Sequence, residues 1–378
     1  MNKKIVCVLL ATLFAFTAAG CSGGDVSVSF DESMPWADAA YEYTEYKIER
    51  QYVGGNQDVT VASGTYTSEL KRGAEQTTLT NRFKLTYLDE EHAAYINERG
   101  EKLLNAGLTD TYEGTVTFLN DSLAPVSASK TQNVAQRPLT DNMPADAQTE
   151  GLPDGVLSRY LLPTAVKYAD PRGYAYQADY TADTVHFTTT SGVTTEDKEN
   201  NRYCRDYYAV EKDYAIKGNT RYDNEQLAYV VRAMTACKRK GSGTFYLSNF
   251  YDSFVNDKYV RYTMNLDCAD KNASTTLELS PEKVYLEDAE GRVEAEGGKY
   301  TIPCVQATVS ISSATPGPAV SLLVTDPIYT LAQSQTPTIK TSKVVVQMTF
   351  TEYAYSSAKV NYRTVYTLTE FRNRPLGN

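Results

Sequence analysis

The sequence predicts a mainly β protein: a large curved antiparallel sheet, half-barrel-like, with one or two short helices packed on or over it. Three observations predict it. Apolar and polar residues alternate along most of the chain, the period of a half-buried strand. Tyrosine fills 30 of 378 positions, and tyrosine suits strands because its ring packs while its hydroxyl reaches water. One stretch shows a helical period instead.

In chain order the alternation runs through Val59/Val61, Leu79/Phe83/Leu85/Tyr87, Val116/Phe118, Tyr174/Tyr176/Tyr180, Val185/Phe187 and Phe245/Leu247. It continues in Val260/Tyr262/Met264/Leu266, Val305/Ala307/Val309/Ile311, Val320/Leu322/Val324, Val346/Met348/Phe350 and Val360/Tyr362/Tyr366/Leu368. Many runs exceed the usual strand of about five or six residues. The apolar face changes between Tyr43 and Tyr46 and at Pro303, which predicts bulges or a bend. "ATPGPA" (Ala314 to Ala319) reads as a hairpin turn. "RPLTDNMPADAQTEGLPDG" (Arg137 to Gly155) reads as an exposed excursion or a domain boundary. One β-rich domain over residues 40–374 is favoured over two split near residue 145.

The helical stretch is "YDNEQLAYVVRAM". Leu227, Val230, Val231 and Met234 fall at i, i+3, i+4 and i+7, and Asp223 with Gln226 makes a capping box. "EEHAAYINERGEKLL" (Glu90 to Leu104) is a weaker helical candidate, interrupted by Gly100. A helix lying across a curved sheet either packs on a core or covers a ligand groove.

The N-terminus points to export. Lys3 and Lys4 precede about a dozen mostly apolar residues, too few for a membrane-spanning helix of roughly 20. Ala18-Ala19-Gly20-Cys21 then resembles a bacterial lipobox, which implies a signal peptide over residues 1–20 and diacylglycerol on Cys21; the alternative is a plain secretory signal cut after Ala18 or Ala19, with no lipid. Residues 21–39, with Gly23-Gly24 and Trp36, read as a flexible tether. The protein is therefore expected outside the cytoplasm, anchored to the outer face of the cell membrane.

Composition narrows the chemistry. A formal charge of −10 disfavours nucleic acid as a partner. Only two histidines, His92 and His186, are present, and neither sits in a metal or catalytic pattern. Cys204, Cys237, Cys268 and Cys304 match no zinc spacing; they are buried thiols, with Cys268 pointing inward, or one or two disulfides. "SASK" (Ser127 to Lys130), "YDN" (Tyr222 to Asn224) and "KTS" (Lys340 to Ser342) follow the order of penicillin-binding motifs. That chemistry needs serine and lysine one turn apart on a helix, whereas "APVSASKTQNV" alternates like a strand and puts Ser127 and Lys130 on opposite faces. No enzyme, cofactor or metal is expected.

Gly107 to Thr131, the helical stretch and Gly297 to Pro327 together resemble envelope proteins with a LolA/LolB-like open β half-barrel, in an uncharacterised lipoprotein branch. The resemblance implies a concave face that holds acyl chains, its mouth lined here by Leu227, Val230, Val231 and Met234. The leading expectation is a non-catalytic lipoprotein that binds a lipid or other apolar ligand. The alternative is a protein-interaction or structural envelope role without a small-molecule ligand, and less so a glycan-binding module.

Overall fold

The computed structural model describes residues 35–376 except 54–56, 89–94, 97–101, 104–108, 134–147, 164–173, 217–220, 238–240, 251–252, 254–256, 279–284, 289, 295, 297, 312–318, 326–329, 333–340 and 354–358. Sixteen strands form one sheet. They are β1 (Ala39–Tyr52), β2 (Val59–Arg72), β3 (Gln76–Tyr87), β4 (Thr109–Leu119), β5 (Pro125–Asn133), β6 (Val156–Pro163), β7 (Tyr174–Tyr180) and β8 (Thr184–Asp197). The remainder are β9 (Arg202–Ala215), β10 (Arg221–Tyr222), β11 (Gly241–Ser248), β12 (Arg261–Leu277), β13 (Tyr300–Ile311), β14 (Val320–Thr325), β15 (Val345–Tyr353) and β16 (Val360–Pro375).

Their order across the sheet is β10-β11-β12-β13-β14-β15-β16-β1-β2-β3-β4-β5-β7-β8-β9-β6. Neighbours pair antiparallel, except that β10 runs parallel to β11. The mainly β, antiparallel expectation holds. Strands from both sides of residue 145 share this ladder.

The sheet curls without closing into a barrel. Among the described residues, side chains rather than backbone hydrogen bonds make the seam where its turns approach each other. Phe250, just after β11, stacks on Phe187 of β8 at 4.9 Å and meets the ring of Tyr176 of β7 at 5.1 Å. The Tyr180 hydroxyl of β7 lies 3.3 Å from Ser248 Oγ. Beyond the seam, β9, β6 and the far half of β8 continue as an arm whose Leu157 and Val193 are half exposed, at 51% and 47%.

A 3-10 turn (Asn224–Gln226) leads into helix α1 (Leu227–Cys237), which runs inside the curl. The expected capping box is present: the Asp223 side chain accepts from Glu225 N at 3.0 Å, and Gln226 Oε1 accepts from Asp223 N at 2.9 Å. Twelve described tyrosines belong to the core, among them Tyr46, Tyr66, Tyr112, Tyr180 and Tyr229. The interior is thus apolar in area yet supplied with hydroxyls, which lets it accept a helix that is not apolar all round.

Register shifts fall where the face changes. Between Glu45 and Tyr46 the partner jumps from Glu370 to Leu368, leaving Thr369 as the extra residue on β16. Along β12 the pairing passes from Ala269 to Ala273 opposite Gln306 and Cys304, next to Pro303. The change of tyrosine face on β1 has a further cause. Tyr41 and Tyr43 point outward beneath Arg374 and Arg372, each 4.9 Å from a ring centroid, because the inward positions hold Glu42 and Thr44.

Two expectations need correction. Glu90 to Leu104 is described only at Tyr95–Ile96 and Lys102–Leu103, which pair as antiparallel strands rather than continuing a helix. Gly100 weakens a helix there by about 1 kcal/mol relative to alanine, and strand pairing satisfies the backbone instead. Trp36, placed in the tether by sequence, is 3% exposed. Its ring meets Tyr229 edge-on at 5.0 Å and covers the Arg232 guanidinium at 5.1 Å, so the fold begins before β1. Cys204, Cys268 and Cys304 are buried free thiols, and burial pushes the Cys268 thiol up to about 11. The side chains of Cys237 and His92 and the turn at 312–318 lie outside the described residues.

Trp36 is the sole tryptophan, so its fluorescence reports this contact alone. Native protein is expected to emit at short wavelength and resist acrylamide quenching. Trp36→Ala is expected to lower unfolding stability by about 3–5 kcal/mol, read by urea titration followed by circular dichroism.

Candidate functional site

The chemistry-bearing side chains converge on the helix rather than on a surface cleft. At its N-terminal end, Lys130 of β5 points inward between Ala128 and Gln132, with 5% of its side chain exposed. Its Nζ lies 3.0 Å from Asp223 Oδ1 and 3.1 Å from Glu225 Oε1. Glu225 also accepts from the Tyr112 hydroxyl and from Asn81 Nδ2, the latter at 2.8 Å. Asp223 Oδ2 accepts from the Tyr180 hydroxyl at 3.2 Å, and Gln226 Nε2 donates to the Leu123 carbonyl at 2.7 Å.

Gly114 makes room for this cluster. A Cβ at Gly114 would sit 2.5 Å from the Glu225 carboxyl carbon and from the Tyr112 hydroxyl. Only glycine lets the carboxylate rest directly on the β4 backbone.

Two turns along α1 a second tie repeats the principle. Arg232 forms a two-pronged pair with Glu42 of β1, Nη2 to Oε2 being 3.1 Å, and its Nε donates to the Lys343 carbonyl at 2.9 Å. The Tyr229 hydroxyl donates to Glu42 Oε1 at 3.0 Å. Bidentate geometry of this kind is what makes a buried ion pair tolerable.

The five charges sum to −1, with Asp223 and Glu225 at the helix start. There the unpaired backbone N–H groups carry roughly half a positive charge, which offsets the excess. Burial disfavours the Lys130 ammonium, but Asp223, Tyr112 and Glu225 outweigh that and hold it well above the usual lysine range. Burial likewise opposes the Arg232 charge, and Glu42 prevails. Burial first, then Glu225, raises the Tyr112 hydroxyl well above its usual range. Each charged side chain here meets an opposite charge within 3.1 Å, an arrangement that ties the helix to the sheet.

The four candidate ligand residues lie on the other helix face. Leu227, Val230, Val231 and Met234 are 7%, 0%, 0% and 3% exposed and belong to the core cluster. Met234 reaches β11, where a Cβ at Gly243 would meet its Cε at 2.5 Å. The cavity beside the helix, lined by Thr44, Tyr66, Ser68, Asn81 and Glu225 among others, measures about 10 Å³, enough for one water at most. Cys21 lies outside the described residues.

Ser127 and Lys130 are on opposite faces of β5, as the alternation predicts, although the fold does bring Lys130 to Asp223 of "YDN". His186 is on the outer face, its Nδ1 2.8 Å from Asp213 Oδ1 and its Nε2 3.2 Å from Glu211, and the Asp213 contact raises its pKa. Among the described residues no group of three or more histidine, cysteine or carboxylate side chains could hold a metal ion.

Sequence reasoning missed Glu42, Lys130, Glu225 and Arg232. A signal was present: Glu225, Tyr229 and Arg232 follow i, i+4 and i+7, a polar-aromatic stripe opposite the apolar one.

No family model and no curated protein matches the chain. Among solved structures, it is similar to a β-barrel-like protein of a domain of unknown function, DUF1849, from Brucella abortus. Identity is 9%, 89% of this chain and 99% of that one are covered, and the TM-score is 0.39. A mutant of the vaccine antigen transferrin binding protein B from Haemophilus parasuis aligns at 7% identity, covering 93% of this chain and 99% of that one, with a TM-score of 0.10. At these scores neither likeness bears on what this chain does.

Removing one partner of a buried pair leaves an uncompensated charge, so Lys130→Ala is expected to cost about 3–5 kcal/mol in urea unfolding. Ser127→Ala, on the opposite face, is expected to change stability by less than about 0.5 kcal/mol. The pH dependence follows from the raised Lys130 value. Its contribution is fully present below the unfolded-chain lysine pKa of about 10.4 and is lost as pH rises through the higher folded value. Wild-type stability is therefore expected to fall above pH ~10.4 more steeply than that of Lys130→Ala.

Proposed function

We propose that this is a non-catalytic, lipid-anchored envelope protein that works through its outer surface, as a protein-interaction or structural element, with a permanently filled interior. The observation that carries this reading is the helix itself. It is tied to the sheet by two buried ionic clusters, and the cavity left beside it is about 10 Å³. An acyl chain needs far more room than that, since ligand sites typically enclose about 300–1,000 Å³. The lipobox at Ala18 to Cys21 supports anchoring at the outer face of the cell membrane by diacylglycerol on Cys21. Saturation of Lys130, Asp223 and Glu225 with partners supports the absence of catalysis. The exposed Leu157 and Val193 on the β6–β8–β9 arm support a protein partner there.

The second reading keeps the LolA/LolB-like half-barrel and its apolar ligand. What favours it is the open ladder, because a sheet not sealed by backbone hydrogen bonds is able to admit a ligand if α1 withdraws. Leu227, Val230, Val231 and Met234 would then line the vacated space.

Mass spectrometry of protein extracted from its native membranes separates the two readings. The first expects an N-terminal Cys21 carrying diacylglycerol and no retained apolar small molecule. A reproducible non-covalent apolar mass would favour the second, and an unmodified N-terminus in protein shed to the medium would remove the anchor from both.

A further inference from the structure

The outer face of β2, β3, β4 and β5 carries a trough of about 370 Å³, on the opposite side of the sheet from the helix. Its lining is set by register. One row across the strands is Thr67, Arg82, Glu113 and Thr131, and the next is Thr65, Lys84 and Thr111. The floor is the backbone of Phe83 and Tyr112, whose rings stack at 5.3 Å on the inner side. Because Tyr112 also bonds Glu225, the floor is braced from behind by the buried cluster.

The threonines of this face divide into two groups. Thr78 bonds Thr117, Thr80 bonds Thr115 and Thr86 bonds Thr109, at 3.3, 3.1 and 2.9 Å, so those hydroxyls satisfy each other across β3 and β4. These pairs flank the trough on both sides. Inside it, the hydroxyls of Thr65, Thr67, Thr111 and Thr131 have no hydrogen-bond partner among the described residues, and the exposed Lys84 has no ion partner there. Arg82 Nε is held by Glu113 at 2.7 Å. The local charge is +1, in a chain whose total is −10.

Free hydroxyls in rows, with one unpaired cation among them, fit a ligand that is itself rich in hydroxyls and carries a negative group. Four strands spaced ~4.8 Å apart give the trough a length of ~14 Å, suited to several linked sugar rings. We propose that the trough binds an acidic carbohydrate, whose carboxylate meets Lys84 and whose hydroxyls meet Thr65, Thr67, Thr111 and Thr131. With no aromatic side chain on the floor to stack against a sugar ring, affinity rests on hydrogen bonds and the one charge. The site is independent of whether the interior is filled.

Calorimetric titration of the full-length protein in detergent tests this, with tetragalacturonate as the acidic probe and maltotetraose as the neutral one. Tetragalacturonate is expected to bind with Kd below ~1 mM. Maltotetraose is expected to bind at least tenfold more weakly. Lys84→Ala is expected to weaken tetragalacturonate at least tenfold and Thr65→Val with Thr131→Val severalfold, while Thr78→Val, outside the trough on the same face, leaves it unchanged. All of these side chains lie on the outer face, and circular dichroism melts confirm folding of each variant. No binding of tetragalacturonate, equal binding of maltotetraose, or binding that Lys84→Ala leaves intact would each overturn the proposal.

Discussion

Two charges of opposite sign taken out of water must find each other, and in this protein that requirement joins distant parts of the chain. Arg232 on the helix meets Glu42 on the first strand, and Lys130 on the fifth meets Asp223 and Glu225 at the helix start. Each group is nearly devoid of solvent, so none tolerates loss of its partner. Satisfying both clusters at once places α1 at one depth and one rotation inside the curl. A helix held only by Leu227, Val230, Val231 and Met234 would be free to slide or roll, because apolar contact is not directional.

The sheet's curvature depends on the same interior. Its ladder does not close, so what keeps the curl tight is what lies within: the helix, the tyrosine rings around it, and the seam where Phe250 packs on Phe187 and Tyr176. Trp36 completes the enclosure over Arg232. Tyrosine serves this interior better than phenylalanine would. Tyr112, Tyr180 and Tyr229 add apolar area and also deliver hydroxyls to the three buried carboxylates. The abundance of tyrosine thus has a use inside the core as well as on the sheet surface, where Tyr41 and Tyr43 lie under arginines.

Local chemistry was readable wherever one segment alone determines the outcome. Alternation located most strands, Asp223 and Gln226 marked the helix start, and the face changes near Tyr46 and Pro303 marked the register shifts. What escaped reading depends on pairs of residues far apart. Lys130 looks like any polar residue on a half-buried strand until Asp223, 93 positions later, is brought opposite it. Glu42 sits 190 positions from Arg232, and its inward orientation contradicts the rule that the buried face of a strand is apolar. Trp36 was misplaced because its neighbours are tether-like, whereas its burial is decided by α1. Strand-by-strand reading recovers the sheet, and the polar interior becomes legible only when the sheet is wrapped around the helix.

The proposed function requires that α1 be a fixed part of the core and not a lid. Native-state hydrogen exchange at the backbone amides of Val230 and Val231 measures this most directly, because it compares the cost of opening the helix with the cost of unfolding the whole chain. If the ionic clusters lock the helix, these amides exchange only through global unfolding, with the same free energy as Val116 in the middle of β4. Exchange of the helix amides at a free energy several kcal/mol below that of Val116 would show a helix that opens while the sheet stays folded, and would contradict the account.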